Sequence, residues 1–177
     1  MRKIWLSILI LVASSVGAQE SSETVQVVTL GSDHEVVVFP RVGDVTEGLW
    51  QFDDTTINID MFSEDNRVRY EVTEGDRTYT QWVHTHYENH RFAFDKKAKR
   101  FKRVMNSVRV VLQDYGTLQS IVDSTEATSG VSFSQLDYAI MELPLEMDPI
   151  AFGRELLAET GVVATEIMLE MPLQVPQ

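Results

Sequence analysis

The stretch DPIAFGRELLAETGVV, residues Asp148–Val163, has the most clearly marked boundaries of any predicted element in the chain. Asp148 is a favourable helix N-cap, and the ring of Pro149 fixes φ at a value that suits the first helical position. Gly161 stands where a left-handed residue commonly ends a helix. The apolar residues that would face a core are Phe152, Leu156 and Leu157. The stretch therefore predicts a helix, followed by a strand that begins at Val162.

The residues around this helix predict a complete α+β unit in the second half of the chain. The other predicted elements are, in order, a strand, a helix, two short strands and a last strand, over residues 107–112, 116–127, 131–136, 138–143 and 162–171. The resulting order, β-α-β-β-α-β, is that of the split βαβ or ferredoxin-like arrangement. We therefore predict a ferredoxin-like domain over residues 106–171, and we expect residues 106–177 to fold alone with a stability of only a few kcal/mol.

The first half has a different pattern. Residues 19–105 contain segments rich in Val, Ile, Thr, Tyr and Trp, separated by turn residues such as Glu74-Gly75-Asp76. The segment Arg67–Val72 alternates polar with apolar residues, as does a strand with one buried face. We predict a β-rich antiparallel domain over residues 19–105. The chain as a whole is therefore assigned to the α+β class, with a domain boundary near Met105.

The N-terminus has the pattern of a secretory signal peptide. Arg2 and Lys3 precede an almost wholly apolar run, Ile4–Ala13, and Val16-Gly17-Ala18 fits a cleavage site before Gln19. Residues 1–18 therefore predict export, to the periplasm or the medium. The sequence contains no cysteine, which excludes disulfides, thiolate zinc sites and thiol catalysis.

Charge and motif content restrict the function further. The chain has 27 Asp and Glu against 15 Lys and Arg, a balance unsuited to nucleic acids or anionic membranes. It has no Gly-x-Ser-x-Gly elbow and no glycine-rich phosphate loop, so we predict a protein that is not an enzyme and needs no cofactor. The basic cluster Arg91–Arg103 is either an anion-binding patch or a solvated segment paired with acidic neighbours, and we favour the second interpretation.

Three histidines form the most plausible metal site. His84 and His86 would share one face of a strand, and His90 would return to them across a turn. Three imidazoles suit zinc or copper. No fourth ligand stands at a defined spacing, so we predict histidines that titrate in solvent, with no bound metal.

The second half, residues 107–177, resembles the propeptides of subtilisin-type serine peptidases and the free-standing propeptide-like peptidase inhibitors. The resemblance rests on an apolar strand that ends at a proline, on the helix described above, and on a Gly-Val step leading into a small and acidic strand. These features lie at Ser107–Leu112, Tyr138–Pro144, Asp148–Leu157, Gly161-Val162 and Ala164-Thr165-Glu166. The resemblance implies that both helices cover one face of a sheet, while the other face lies on the peptidase.

The same resemblance implies the residues that would bind the partner. On the uncovered face we expect an apolar strip made of Val111, Tyr138, Ile140 and Met168, rimmed by Arg109, Glu142, Glu166 and Glu170. The extended tail, residues 172–177, would enter the substrate cleft with Leu173, Gln174, Val175, Pro176 and Gln177. Subtilisin-type clefts favour large apolar residues where this chain has Gln174 and Gln177, which is a departure from the family pattern.

We therefore expect an exported, non-enzymatic binder of a subtilisin-type serine peptidase that acts in trans, as an inhibitor or a folding assistant. The alternative is a periplasmic or secreted interaction or structural module with no peptidase partner. An exposed apolar strip usually marks a contact surface. The strip is equally suited to contact with the β-rich N-terminal half of the same chain.

Overall fold

The structure is a computed structural model, and it describes residues 24–31 and 33–170. The predicted signal peptide, residues 1–18, and the predicted tail, residues 172–177, lie outside the described residues. The described part contains eleven strands and two α-helices. The strands are β1 (Gln26–Leu30), β2 (His34–Arg41), β3 (Gly48–Phe52), β4 (Thr55–Phe62), β5 (Arg67–Glu74), β6 (Arg77–His84), β7 (Arg91–Asp95), β8 (Arg100–Leu112), β9 (Ser129–Phe133), β10 (Tyr138–Glu142) and β11 (Val162–Leu169), and the helices are α1 (Leu118–Ser124) and α2 (Pro149–Leu156).

The smaller of two sheets is an antiparallel meander in the order β3-β4-β5-β6. Two-residue turns at Asp53-Asp54 and Gly75-Asp76 close its outer hairpins, and Asp53 and Gly75 adopt the positive φ angles, 44° and 56°, that such turns require. Alternate residues of its two central strands are fully buried, and these are Ile57, Ile59, Val68, Tyr70 and Val72. The alternation in the sequence therefore produces one buried and one exposed face.

The larger sheet has seven strands in the order β1-β2-β7-β8-β10-β9, with β11 also paired to β8. The thirteen-residue strand β8 organises this sheet. Its first part pairs with β7, and its second part pairs with β10 on one edge and β11 on the other. Because Val104 pairs with both Arg91 and Leu169, β7 and β11 lie on opposite edges of β8. Strands β7 and β10 therefore follow one another along the same edge.

Three buried clusters hold these layers together. The first lies between the two sheets, where the rings of Phe39 and Tyr70 are 4.7 Å apart. The second packs α1 and α2 onto β8 and β10. The third joins β2 and β7 of the first half to α2 and β11 of the second, and contains Val36, Val38, Ala93, Val104, Ile150 and Ile167. The contacts of this third cluster make the two halves mutually dependent.

The start of α2 confirms the capping prediction and adds a link between the halves. The carboxylate of Asp148 accepts a hydrogen bond of 3.0 Å from the Ile150 N–H, and Pro149 occupies the first turn. The same carboxylate pairs with the buried guanidinium of Arg91 at 2.9 Å. An N-cap that also neutralises an arginine of β7 fixes the helix against the larger sheet.

The predicted fold class, α+β with a ferredoxin-like β-α-β-β-α-β domain, is wrong. The chain is mostly β, with two sheets and only two helices in the described part. The strands of residues 106–171 do not form a sheet of their own, because β8 carries them into the seven-stranded sheet together with β1, β2 and β7. The boundary expected near Met105 falls inside β8. The physical reason is that one long strand serves both halves, which a division by charge and composition does not detect.

Candidate functional site

The surface of β8–β11 that faces away from the helices is the candidate site, and we call it the outer face. The helices cover Val108 and Val110 of β8, so the intervening residues of that strand point the other way. Directly paired residues of neighbouring strands share a face. The pairs Ile140–Arg109, Ile140–Val131, Tyr138–Phe133 and Val111–Ala164 therefore place the predicted residues together. The apolar residues of the outer face are Val111, Val131, Phe133, Tyr138, Ile140 and Met168.

The outer face is apolar and open. Val131 is 53% exposed and Phe133 is 38% exposed. The four residues expected from the sequence, Val111, Tyr138, Ile140 and Met168, are half-buried. None of the six belongs to the three buried clusters of the described chain. The smaller sheet packs instead on β2, β7 and the first part of β8, and within the described residues it leaves this surface uncovered.

Arg109 is held on the outer face by two groups, an aromatic ring and a carboxylate. Its guanidinium carbon lies 4.6 Å from the centroid of the Tyr138 ring, and its Nη1 is 3.0 Å from Oε2 of Glu166. The Tyr138 ring in turn stacks on Phe133 at 5.1 Å. A cation held between an aromatic ring and a carboxylate loses little additional freedom when a partner arrives, so the surface is well ordered for binding.

The remaining predicted site residues lie at the rim or beyond the described chain. Glu142 is exposed at the end of β10, and Glu170 pairs with Arg103 at 3.2 Å. Met168 is fixed by a contact of 3.5 Å from the Ser107 hydroxyl to its sulfur. The tail residues Leu173, Gln174, Val175, Pro176 and Gln177 lie outside the described residues. They follow directly after β11, the strand that carries Met168.

Two residues of the outer face were missed by sequence reasoning. Val131 and Phe133 alternate with Ser132 and Ser134, a signal for a strand with an apolar side. The strand was predicted, but its face was not assigned because its place at the sheet edge beside β10 is a matter of topology. These are the two most exposed apolar residues of the surface.

The basic cluster of Arg91–Arg103 is mostly neutralised, as expected for the interpretation that we favoured. Five of its seven cations pair with carboxylates of the described chain, and these are Arg91, Lys96, Lys99, Lys102 and Arg103. Lys96, for example, lies 3.0 Å from Glu35 and 3.4 Å from Asp54. Two of these cations, Lys96 and Lys99, pair across the sheets with Asp54 and Glu74.

The histidines do not share a strand face. Strand β6 ends at His84, and a short 3-10 turn over Thr85–Tyr87 redirects His86. The His84 and His86 rings lie 4.6 Å apart, and the Tyr87 ring packs 3.9 Å from His86 and 5.1 Å from His90. In the part of the chain that the structure covers, no three His, Asp or Glu side chains are grouped as metal ligands would be.

The prediction on metal binding can be tested by calorimetry. Because no third His, Asp or Glu side chain of the described chain is grouped with His84 and His86, titration of the protein with Zn²⁺ or Cu²⁺ should reveal no tight stoichiometric site. His86→Ala provides the control, since its isotherm should match that of the wild type. A one-to-one site that disappears in His86→Ala would show that the histidines rearrange to bind a metal.

No helix among residues 24–31 and 33–170 is long and apolar enough to cross a membrane. No protein-family model, curated protein or solved structure matches the chain.

Proposed function

We propose that this chain is an exported, non-enzymatic protein-binding module that docks its partner on the outer face. The observation that carries the proposal is the set of six apolar side chains on the outer face of β8–β11, none of which belongs to the buried clusters of the described chain. Export rests on the signal-like residues 1–18.

The composition of the outer face supports protein binding. The centres of protein interfaces are enriched in aromatic residues, Met and Arg, while charged residues lie at the rim. Here Tyr138 packs on Arg109 and Phe133 packs on Tyr138, Met168 lies on the neighbouring strand β11, and Glu142 and Glu170 stand at the rim. An exposed apolar surface of this kind marks a contact site in soluble proteins.

The partner that we propose is a serine peptidase of the subtilisin type, on a separate chain, bound as an inhibitor or as a folding assistant. The support is the resemblance of residues 107–177 to propeptides of such enzymes, which dock through the face opposite their helices. The outer face is opposite α1 and α2. In the sequence, the predicted tail follows β11, the strand that carries Met168 of the outer face.

The alternative is an interaction or structural module with no peptidase partner. It is favoured by Gln174 and Gln177, which stand where a subtilisin-type cleft prefers apolar residues. A partner that docks only on the outer face has no need of the tail. The peptidase partner and the alternative therefore predict different effects of deleting the tail on the activity of the module.

We expect the outer face and the tail to contribute differently to inhibition. Deletion of Leu173–Gln177 should abolish inhibition of a subtilisin-type enzyme while most of the docking affinity remains. Val131→Asp and Ile140→Asp should weaken docking by about a hundredfold, because each buries an unpaired carboxylate in the interface. Gln177→Leu should tighten inhibition by up to about 1.5–3 kcal/mol in an enzyme with an apolar first pocket. The measurement is an inhibition constant and a dissociation constant for each variant.

Leu49→Asp is the matched control, because Leu49 is 71% exposed on the smaller sheet, away from the outer face. It should bind like the wild type. Circular dichroism of every variant separates a docking defect from misfolding, and Val131 is the cleaner probe since its side chain is 53% exposed. If neither the wild type nor Gln177→Leu slows any enzyme of a subtilisin-type panel at micromolar concentration, the peptidase is not the partner.

A further inference from the structure

An open groove lies between the two sheets, at the end of the molecule where β6 faces β8. We call it the basic groove. Its walls are residues 81–84 of β6 and residues 100–103 of β8, and Tyr87, His90, Phe92 and Glu170 complete its lining. Its volume is about 490 Å³, within the range of sites that hold ligands. Among the described residues of the outer face and its rim, only Glu170 also lines this groove.

The walls of the basic groove are strand edges. Four consecutive residues of each strand line it, so residues from both faces of each strand contribute. Strand β6 is the last strand of the smaller sheet and pairs only with β5 in the described chain. Along β8, the described pairing with β11 ends at Leu169–Val104 and at the bond from the Glu170 N–H to the Arg103 carbonyl. Such edges present backbone donors and acceptors to an added strand.

The groove is cationic on a protein whose net charge is −12. Among the described residues, Arg100, Lys102 and Arg103 line it against one carboxylate, that of Glu170. Lys102 pairs with Asp95 and Arg103 with Glu170, while the guanidinium of Arg100 has no partner among the described residues. The local charge therefore selects for acidic occupants.

Aromatic side chains supply the apolar part of the groove. Phe92 and Phe101 pack against the core between the sheets, and each remains half-buried. Tyr87 is 43% exposed beside His90. Apolar surface between two polar strand edges suits a segment whose side chains alternate between charged and apolar.

We propose that the basic groove binds an acidic peptide segment of another protein in extended conformation, added as a strand to the edge of β6. Backbone hydrogen bonds to β6 would provide part of the affinity, as in other cases of strand addition. Arg100 would pair with a carboxylate of the segment, and an apolar side chain would lie on Phe92 and Phe101. This site is independent of the outer face.

The probe is a blocked, fluorescein-labelled peptide, Glu-Val-Glu-Phe-Glu-Val-Glu, whose binding to the full chain is followed by fluorescence anisotropy. Arg100→Glu should weaken binding by about tenfold or more, and added salt should weaken it too. Glu170→Gln should tighten it several-fold, because the one carboxylate of the lining among the described residues is removed. Lys97→Glu is the matched control, since Lys97 is an exposed cation outside the groove and the change in net charge is the same.

Three further probes identify the class of ligand. The same peptide with Gln in place of Glu should bind at least about tenfold more weakly. Peptides that are N-methylated at all odd or all even positions lose the donors of one edge, and at least one of the two should fail to bind. Inorganic phosphate should not compete at the peptide's own concentration.

The proposal is overturned if Arg100→Glu binds like Lys97→Glu, or if the Gln peptide binds as tightly as the Glu peptide. It is also overturned if both N-methylated peptides bind like the parent, or if phosphate competes at equal concentration, which would indicate a simple anion site. Ile140→Asp should bind the probe like the wild type. A negative result for the basic groove therefore does not count against docking on the outer face, and a negative result for the outer face does not count against the groove.

Discussion

A fragment of residues 106–177 should be largely unfolded in solution, although the sequence suggested that it folds alone. The cut removes residues 100–105 of β8, and with them the pairing to β7 and the Leu169–Val104 pair. It also exposes Ile150 and Ile167, whose buried neighbours Val36, Val38 and Ala93 belong to the first half. Asp148 loses the guanidinium of Arg91. Since a unit of this size has only a few kcal/mol of stability, these losses should exceed it.

Far-ultraviolet circular dichroism and thermal melting of the fragment test this expectation directly. The control is residues 19–177, which keep all of β8 and should melt cooperatively. A fragment spectrum close to random coil, with no cooperative transition, is the expected result. A cooperative melt and a β-rich spectrum for residues 106–177 would show that the second half is an independent domain despite the shared strand.

Local elements of the fold could be predicted from the sequence, but their assembly could not. The N-cap at Asp148 and the turn at Gly75-Asp76 depend on the conformational preferences of one or two residues, which the sequence shows directly. The course of β8 could not be predicted in this way. Its first part has the sequence RFKRVM, which was interpreted as a charged linker because four of seven clustered cations lie in or next to it. In the structure the same residues are a strand in which Lys102 and Arg103 pair with Asp95 and Glu170.

For the candidate site too, local features could be predicted from the sequence and the assembly of strands could not. Alternation along each strand predicted that Tyr138, Ile140 and Met168 lie away from the helices, because a strand has a strict period of two. The contribution of β9 depends on which strand lies beside β10, and no local pattern encodes this. The basic groove could not be predicted from local patterns either. Its walls are separated by sixteen residues or more along the chain, and they meet only through the packing of the two sheets.

Asp95 provides the buried charge on which the junction of β7 and β8 depends. Its side chain is 1% exposed. It accepts hydrogen bonds from Nε2 of His34 at 2.7 Å, from the Ala98 N–H at 2.8 Å and from Nζ of Lys102 at 2.5 Å. Burial by itself would raise the pKa of Asp95, but the bonds from Lys102, Ala98 and His34 hold the pKa of this carboxyl well below its usual range. The folded protein therefore favours the charged form.

Asp95→Ala should lower the free energy of unfolding by about 3–5 kcal/mol, because Lys102 is left as a largely buried charge with no counter-ion. Urea unfolding at neutral pH measures this loss. Glu35→Gln is the matched control, since Glu35 forms a half-exposed pair with Lys96 and should cost about 1 kcal/mol or less. Equal losses in the two variants would show that the buried network contributes no more than a surface pair.

The same network predicts how stability depends on pH. In the unfolded chain Asp95 titrates near its ordinary pKa of about 3.9, whereas in the folded chain its pKa is lower. The unfolded state therefore binds the proton first as the pH falls. The contribution of Asp95 is complete above the unfolded pKa and is lost as the pH falls towards the folded pKa. The wild type should lose stability between about pH 5 and pH 2, while Asp95→Asn, which has no proton to gain at this position, should show a shallower loss over the same range. Urea unfolding of both proteins at a series of pH values gives the two curves, and parallel curves would show that Asp95 does not control acid stability.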